Sequence, residues 1–243
     1  MKKLTIITYH YVRPIKKSSY PLIKGLELES FKNQLNYLEK NYKIITMESL
    51  INFAKNSSQL PDNPCLLTFD DGYKDHYLYV FPELKKRGIQ GSFFSVAKTV
   101  LEKKILDVNK IHFILAKEPN TNLLIEEIKK LLNEYKNKTD SKKLYSFDEY
   151  WKKYALANKL DTKETVFIKR ILQHALQENV REKFSDFLFD RYVEKTQSEF
   201  ASVLYISEEE IKEMIQSNMY FGSHGYKHPW LNTLSKNFQL KKL

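Results

Sequence analysis

The sequence predicts an α/β fold in which parallel strands alternate with covering helices, broken by a large helical insertion. Three observations predict it. Over the first 96 residues four short apolar runs, Leu4 to Tyr9, Lys43 to Thr46, Pro64 to Asp70 and Ile89 to Val96, alternate with amphipathic stretches. From about residue 100 to about residue 205, strand signals give way to lysine- and glutamate-rich segments with apolar residues three and four apart. A last apolar run, Met219 to Gly222, then follows a short capped helix. Residues 1–100 and 206–243 therefore read as two parts of one domain, and 101–205 as an all-helical insertion. Such a strand–helix series can close into a (β/α) barrel, which carries its functional groups at the C-terminal ends of its strands.

Each element follows from its residues. Leu4 to Tyr9 is apolar and β-branched, and His10 stands at its exit. Pro14, Pro21 and Gly25 make residues 13–27 a long connection on that same side. Between Glu29 and Lys40, Phe31, Leu35 and Leu38 recur at helical spacing. Thr46 is placed to cap a helix from Met47 to Lys55 with Leu50, Ile51 and Phe53 on its apolar face, and Ser57 to Asn63 loops back to the strand at Pro64. Tyr73 to Arg87 reads as a helix with Leu78, Phe81 and Leu84 inward, kinked or restarted at Pro82 and ended by Gly88. In the insertion, Val108 to Ala116, Leu123 to Tyr135, Phe147 to Ala157, Thr162 to Gln177 and Val180 to Lys195 read as helices, with His112 and His174 as packing or surface residues. Ser207 and Glu210 form a capping box for a helix running to Asn218, and another helix begins near Trp230.

Composition narrows the function. With 243 residues and 42% hydrophobic content the chain can bury a sizeable core. Its net charge is +10, yet the basic residues are scattered with acids between them, so no nucleic-acid partner is expected, while acidic glycans would be favoured. The single cysteine, Cys65, sits within an apolar strand and reads as a core residue, which excludes an intramolecular disulfide framework. The start Met1-Lys2-Lys3 precedes an apolar run too short for a signal peptide, and no run approaches a membrane span; a cytoplasmic location is expected.

Two stretches carry the chemistry. In Pro64-Cys65-Leu66-Leu67-Thr68-Phe69-Asp70-Asp71-Gly72 a buried strand stops at two adjacent carboxylates and a glycine. Neighbouring acids at the mouth of a buried strand repel each other and are costly to desolvate unless a cation holds them, although a strand running into an ordinary Asp-Gly turn gives the same pattern. In Met219 to Pro229 an apolar run leads to His224 and His228, four apart, a metal-ligand spacing. Gly225 and Pro229 argue for a strand end running into a turn or into the first turn of a helix, either of which can present both rings. One carboxylate with two imidazoles is a three-ligand set that leaves a position for water, as in catalytic zinc sites.

Thr68-Phe69-Asp70-Asp71-Gly72 and Ser223-His224-Gly225-Tyr226-Lys227-His228-Pro229 resemble, in that order, the first two motifs of the polysaccharide deacetylases, the NodB-homology group of carbohydrate esterases. The resemblance covers about residues 1–100 and 206–235. It implies a NodB-like distorted (β/α) barrel and a hydrolase that removes N-acetyl groups from a hexosamine-containing carbohydrate. It also implies Asp70 as general base and Asp71, His224 and His228 as ligands of a divalent metal, zinc first. Tyr9-His10-Tyr11-Val12 is similar to the end of the first strand in such enzymes, and His10 and Tyr73 are expected to bind substrate. His10 is also the remaining candidate on that face for protonating the departing amine. The family's later motifs, which supply an arginine, an aromatic wall, an acidic partner and a general-acid histidine, have no counterpart in this sequence. Without its insertion the chain amounts to about 140 residues, against roughly 250 for a complete eight-stranded barrel. The sequence thus reads as a family chain cut short after the second motif, with a sheet left unclosed and prone to self-association at its edge. A catalytically inactive deacetylase and a carbohydrate- or partner-binding module stand as the alternatives to an active enzyme.

Overall fold

The computed structural model describes residues 3–56, 58–139, 144–193 and 195–240. Ser57 of the expected loop, Glu194 of the expected last insertion helix, Met1-Lys2 and residues 241–243 lie outside the described residues. The chain divides into two compact units, one made of residues 1–19, 24–104 and 197–243, the other of 20–23 and 105–196.

The first unit is built on a parallel sheet. Its strands up to residue 95 are β1 (Thr5–Tyr9), β2 (Val12–Arg13), β3 (Leu26–Glu27), β4 (Lys43–Ile44), β5 (Pro64–Asp70) and β6 (Ser92–Ser95). Helices α1 (Leu28–Asn41), α2 (Met47–Ala54), α3 (Phe81–Arg87) and α4 (Ala97–Leu101) lie between and after them. β5 is central and buried from Pro64 through Phe69, which is why it reads as an unbroken apolar run rather than an alternating one. β1 pairs along it from Thr5 opposite Cys65 to Tyr9 opposite Phe69, and β6 pairs on its other side with Asp70 opposite Phe94. β4 joins that second side at the start of β5, with Lys43 opposite Pro64. β2 and β3 form a separate parallel pair.

Some expected details differ. The segment after Gly72 is helical from Lys74 to Arg87 and its second part, α3, does begin at the turn holding Pro82, but the His76–Val80 stretch is π-type rather than α. Leu78 falls within this wider turn, off the helical phase of the residues that follow, and is 51% exposed, while Phe81 and Leu84 are buried as expected. Phe53, expected on the apolar face of α2, is 42% exposed. Thr46 does cap α2, its hydroxyl accepting from Ser49 N–H at 3.2 Å.

The second unit is helical: α5 (Asp107–Lys117), α6 (Thr121–Thr139), α7 (Phe147–Tyr154), α8 (Lys163–Arg170) continued by a π-type turn Ile171–Ala175, and α9 (Glu178–Val193). Ile111, Ile128, Phe167, Leu172 and Phe189 are among its fully buried core residues. The buried amine of Lys110 is held by Asp107 and Asp186, which offsets the cost of placing a charge there. His174 meets the ring of Tyr154 edge-on.

The chain returns to the first unit through α10 (Gln197–Leu204), α11 (Glu208–Gln216), the strand β7 (Tyr220–Ser223) and, past a 3-10 turn at Leu231–Thr233, α12 (Lys236–Leu240). The capping box on α11 is complete: Ser207 Oγ accepts from Glu210 N–H and Glu210 accepts from Ser207 N–H. β7 pairs in parallel with β6, Ser223 opposite Ser95. The main sheet therefore runs β1-β5-β6-β7, and among the described residues β1 and β7 are its edges. The sheet is open among these residues, as the short strand count of the sequence implies, because closure into a barrel requires a neighbour for both edge strands. No helix of the described residues is long and apolar enough to cross a membrane.

One row of the sheet explains how the site is aimed. Tyr9, Phe69, Phe93 and Phe221 are register partners across four strands, and neighbouring rings stack with centroids 5.2, 4.8 and 5.3 Å apart. Phe31 of α1 meets Tyr9 edge-on at 5.1 Å on that face. Since side chains alternate along a strand, the next row, which includes Asp70, Phe94 and Gly222, points to the opposite face.

Candidate metal centre

All four main strands run the same way, so His10, Asp70 with Asp71, and His224 leave the sheet at one end. Beyond Asp70 the chain turns sharply, with Asp71 at φ +74° and Gly72 at φ +66°. Aspartate tolerates the left-handed region better than most residues, whereas Gly72 is required by space as well: a Cβ there would stand 2.7 Å from Ser95 Oγ and 2.9 Å from Ser95 Cβ. The turn folds Asp71 back over the strand end, where it is 4% exposed.

The histidines are placed by the loop after β7. His224 N–H donates to Ser95 O at 3.0 Å, Ala97 N–H donates to Gly225 O at 3.1 Å, and Lys98 N–H donates to Tyr226 O at 3.0 Å. These bonds stitch the loop to the end of β6 and the start of α4. Gly225 at φ +79° and His228 at φ +54° reverse the chain so that the second ring returns toward the first.

The three side chains converge. His224 Nε2 lies 3.6 Å and His228 Nε2 3.5 Å from Asp71 Oδ1, and the two nitrogens are 3.1 Å apart. Asp71 Oδ2 accepts from the Tyr73 hydroxyl at 2.6 Å, while the buried Oδ1 has no hydrogen-bond donor. A buried carboxylate oxygen without a donor is costly, and two imidazole nitrogens facing it do not relieve that cost unless a proton or a cation stands among them. Two nitrogens and one carboxylate oxygen, with candidate ligand atoms all within 4.8 Å of one another, fit a metal ion.

Burial lowers the His228 pKa below its ordinary value, with Asp71 opposing, which favours the neutral ring that a metal ligand must be. Asp70, half-buried beside the group, has its carboxyl pushed up, first by burial; the charges of His224 and His10 pull it down and Asp71 pushes it up further. His10 is exposed at the exit of β1, within electrostatic reach of Asp70, and its carbonyl accepts from His76 Nε2–H at 2.9 Å.

Tyr73 departs from the substrate contact expected of it. The residue is 1% exposed and its hydroxyl is engaged by Asp71, so it faces the site's carboxylate rather than an open surface. Sequence reasoning also missed what surrounds it: the stack of Tyr11, Tyr73 and Tyr205, the 2.7 Å ion pair of Arg13 with the buried Asp75, and the fully buried His76. Arg13 and Asp75 are 62 residues apart and carry no local pattern; the one available signal for Tyr73 is its place directly after Gly72.

No family model matches the chain. The Bacillus subtilis protein YxkH, which bears the name of a polysaccharide deacetylase, is 29% identical over 100 residues, 40% of this chain. The chain is a relative of the polysaccharide deacetylases. The matched segment spans 33% of the length of that curated relative. Among solved structures, the deacetylase PplD of Streptococcus pyogenes, in complex with acetate, superposes with a TM-score of 0.51 at 15% identity over 99% of this chain and 64% of its own, a likeness of fold. IcaB from Ammonifex degensii is 30% identical over 40% of this chain and 42% of its own, with a TM-score of 0.34.

Proposed function

We propose that the chain hydrolyses the N-acetyl group of a hexosamine-containing carbohydrate, with Asp71, His224 and His228 holding a divalent metal, zinc first, and Asp70 acting as general base. The observation that carries this reading is the convergence of two imidazole nitrogens on the donorless Oδ1 of Asp71, directly after a second carboxylate at the end of β5. When bound, the metal supplies Lewis acidity toward a carbonyl oxygen and makes water more acidic.

The chain's own groups do the rest. Asp70 accepts a proton from the attacking water, whose oxygen adds to the amide carbon, and it must be ionised to do so. Breaking the carbon–nitrogen bond leaves acetate and requires a proton on the nitrogen. His10, on the same rim and within electrostatic reach of Asp70, is the group assigned to deliver it. The test is acetate release from N-acetylglucosamine oligomers by the zinc-loaded chain. Asp70→Asn is expected to abolish release while retaining zinc, and His10→Gln to slow it. Release by Asp70→Asn at the parental rate, or none above buffer from the parent, would remove the assignment.

A further inference from the structure

We infer that Tyr73 is a positioning residue, which ties down Asp71 Oδ2 so that Oδ1 alone faces His224 and His228. This rests on the reading of those three residues as metal ligands. Three observations carry it. The Tyr73 hydroxyl donates to Oδ2 at 2.6 Å, and both partners are buried. The phenol has little freedom to do anything else: its ring is stacked on Tyr11 at 4.1 Å and on Tyr205 at 6.2 Å, with His76 edge-on at 5.7 Å. The backbone is fixed as well, through a bridge between Tyr73 and Tyr205 and a hydrogen bond from Ile206 N–H to Gly72 O at 3.0 Å.

The anchoring continues outward. Arg13 pairs with Asp75 at 2.7 Å and lies over the Tyr11 ring at 5.4 Å, so the residues after β1 and the turn after β5 are held together on either side of the phenol. A carboxylate free at both oxygens can rotate or chelate; one whose second oxygen is held by a rigid donor presents a single lone-pair direction. Tyr205 closes the stack from the segment that leads back from the insertion, so metal affinity also depends on how that segment is seated.

The experiment uses the whole chain and cobalt(II), whose visible bands report ligand number. The parent and Tyr73→Phe are titrated with cobalt against a competing chelator, and folding is checked by circular dichroism without metal. We expect Tyr73→Phe to bind about 10- to 100-fold more weakly and with an altered visible spectrum, because Oδ2 is released. Equal affinity and an identical spectrum in a folded Tyr73→Phe would overturn the inference while leaving the metal site intact. A parent that binds no cobalt would overturn the metal reading and this inference with it. Should Tyr73→Phe fold poorly, replacing Tyr73 with p-aminophenylalanine restores a donor on the same ring. That replacement is expected to retain parental affinity within a few fold, and its failure to do so in a folded chain would count equally against the role.

Discussion

His76 offers a sharp test of the packing beneath the site. The ring is fully buried, gives its Nε2–H to the His10 carbonyl, and keeps a buried Nδ1 without a hydrogen-bond partner. Burial lowers its pKa from 6.5 to about 4, against the opposing hydrogen bond to His10 and the charge of Asp71. Below pH 6.5 the unfolded chain takes up a proton that the native chain refuses, so this group's contribution to stability is lost as pH falls toward 4. At roughly 1.4 kcal/mol per pKa unit the full effect is about 3 kcal/mol, most of it lost by about pH 4.5. Asp75 works in the other direction. Burial raises its pKa from 3.8 to about 6 despite Arg13, so the native chain takes up that proton first and gains stability over nearly the same interval. The parent alone sums such opposed groups, and the comparison with His76→Gln isolates the histidine. Glutamine keeps an N–H for the carbonyl and does not titrate. Urea unfolding in chelator, followed by circular dichroism, should find His76→Gln less stable than the parent by about 1–2 kcal/mol at pH 7. At about pH 4.5 that gap should have shifted by about 2 kcal/mol in favour of His76→Gln, which closes or reverses it. A gap that is the same at both pH values would refute the claim that the ring is held neutral.

Two further substitutions test the local geometry. Gly72→Ala and Gly88→Ala both force alanine to a positive φ, +66° and +67°, but only at Gly72 would the new methyl meet atoms, Ser95 Oγ at 2.7 Å and Cβ at 2.9 Å. Gly88→Ala should cost about 1 kcal/mol in a denaturant titration and Gly72→Ala about 2–4 kcal/mol, with equal costs contradicting the close approach at Ser95. Ser207→Ala removes the hydroxyl that accepts from Glu210 N–H and should lower stability by about 1 kcal/mol, whereas no change would mean that the cap is redundant.

What local pattern can report and what it cannot is visible in particular residues. The run Pro64 to Phe69 is legible because a strand covered on both faces is apolar throughout, and Phe31, Leu35 and Leu38 because one helix face packs on it. Asp71, His224 and His228 stand out only together, because a strand end with paired acids is ordinary alone but unusual beside a second strand end with two histidines four apart. That their atoms lie within 4.8 Å of one another depends on left-handed turns at Asp71, Gly225 and His228, and of these only the glycine carries a signal. The phase error at Leu78 has a similar source, since a π-type turn adds a residue that no spacing rule anticipates. Contacts such as Arg13 with Asp75 and Tyr73 with Tyr205 join residues 62 and 132 positions apart and are set by the fold alone.

The most direct test of the account is the zinc content of the purified chain after chelation and reloading, measured beside the His224→Ala, His228→Ala double variant. About one equivalent is expected in the parent and none in the variant. Equal zinc in both, whether negligible or stoichiometric, would mean that Asp71, His224 and His228 do not form the site.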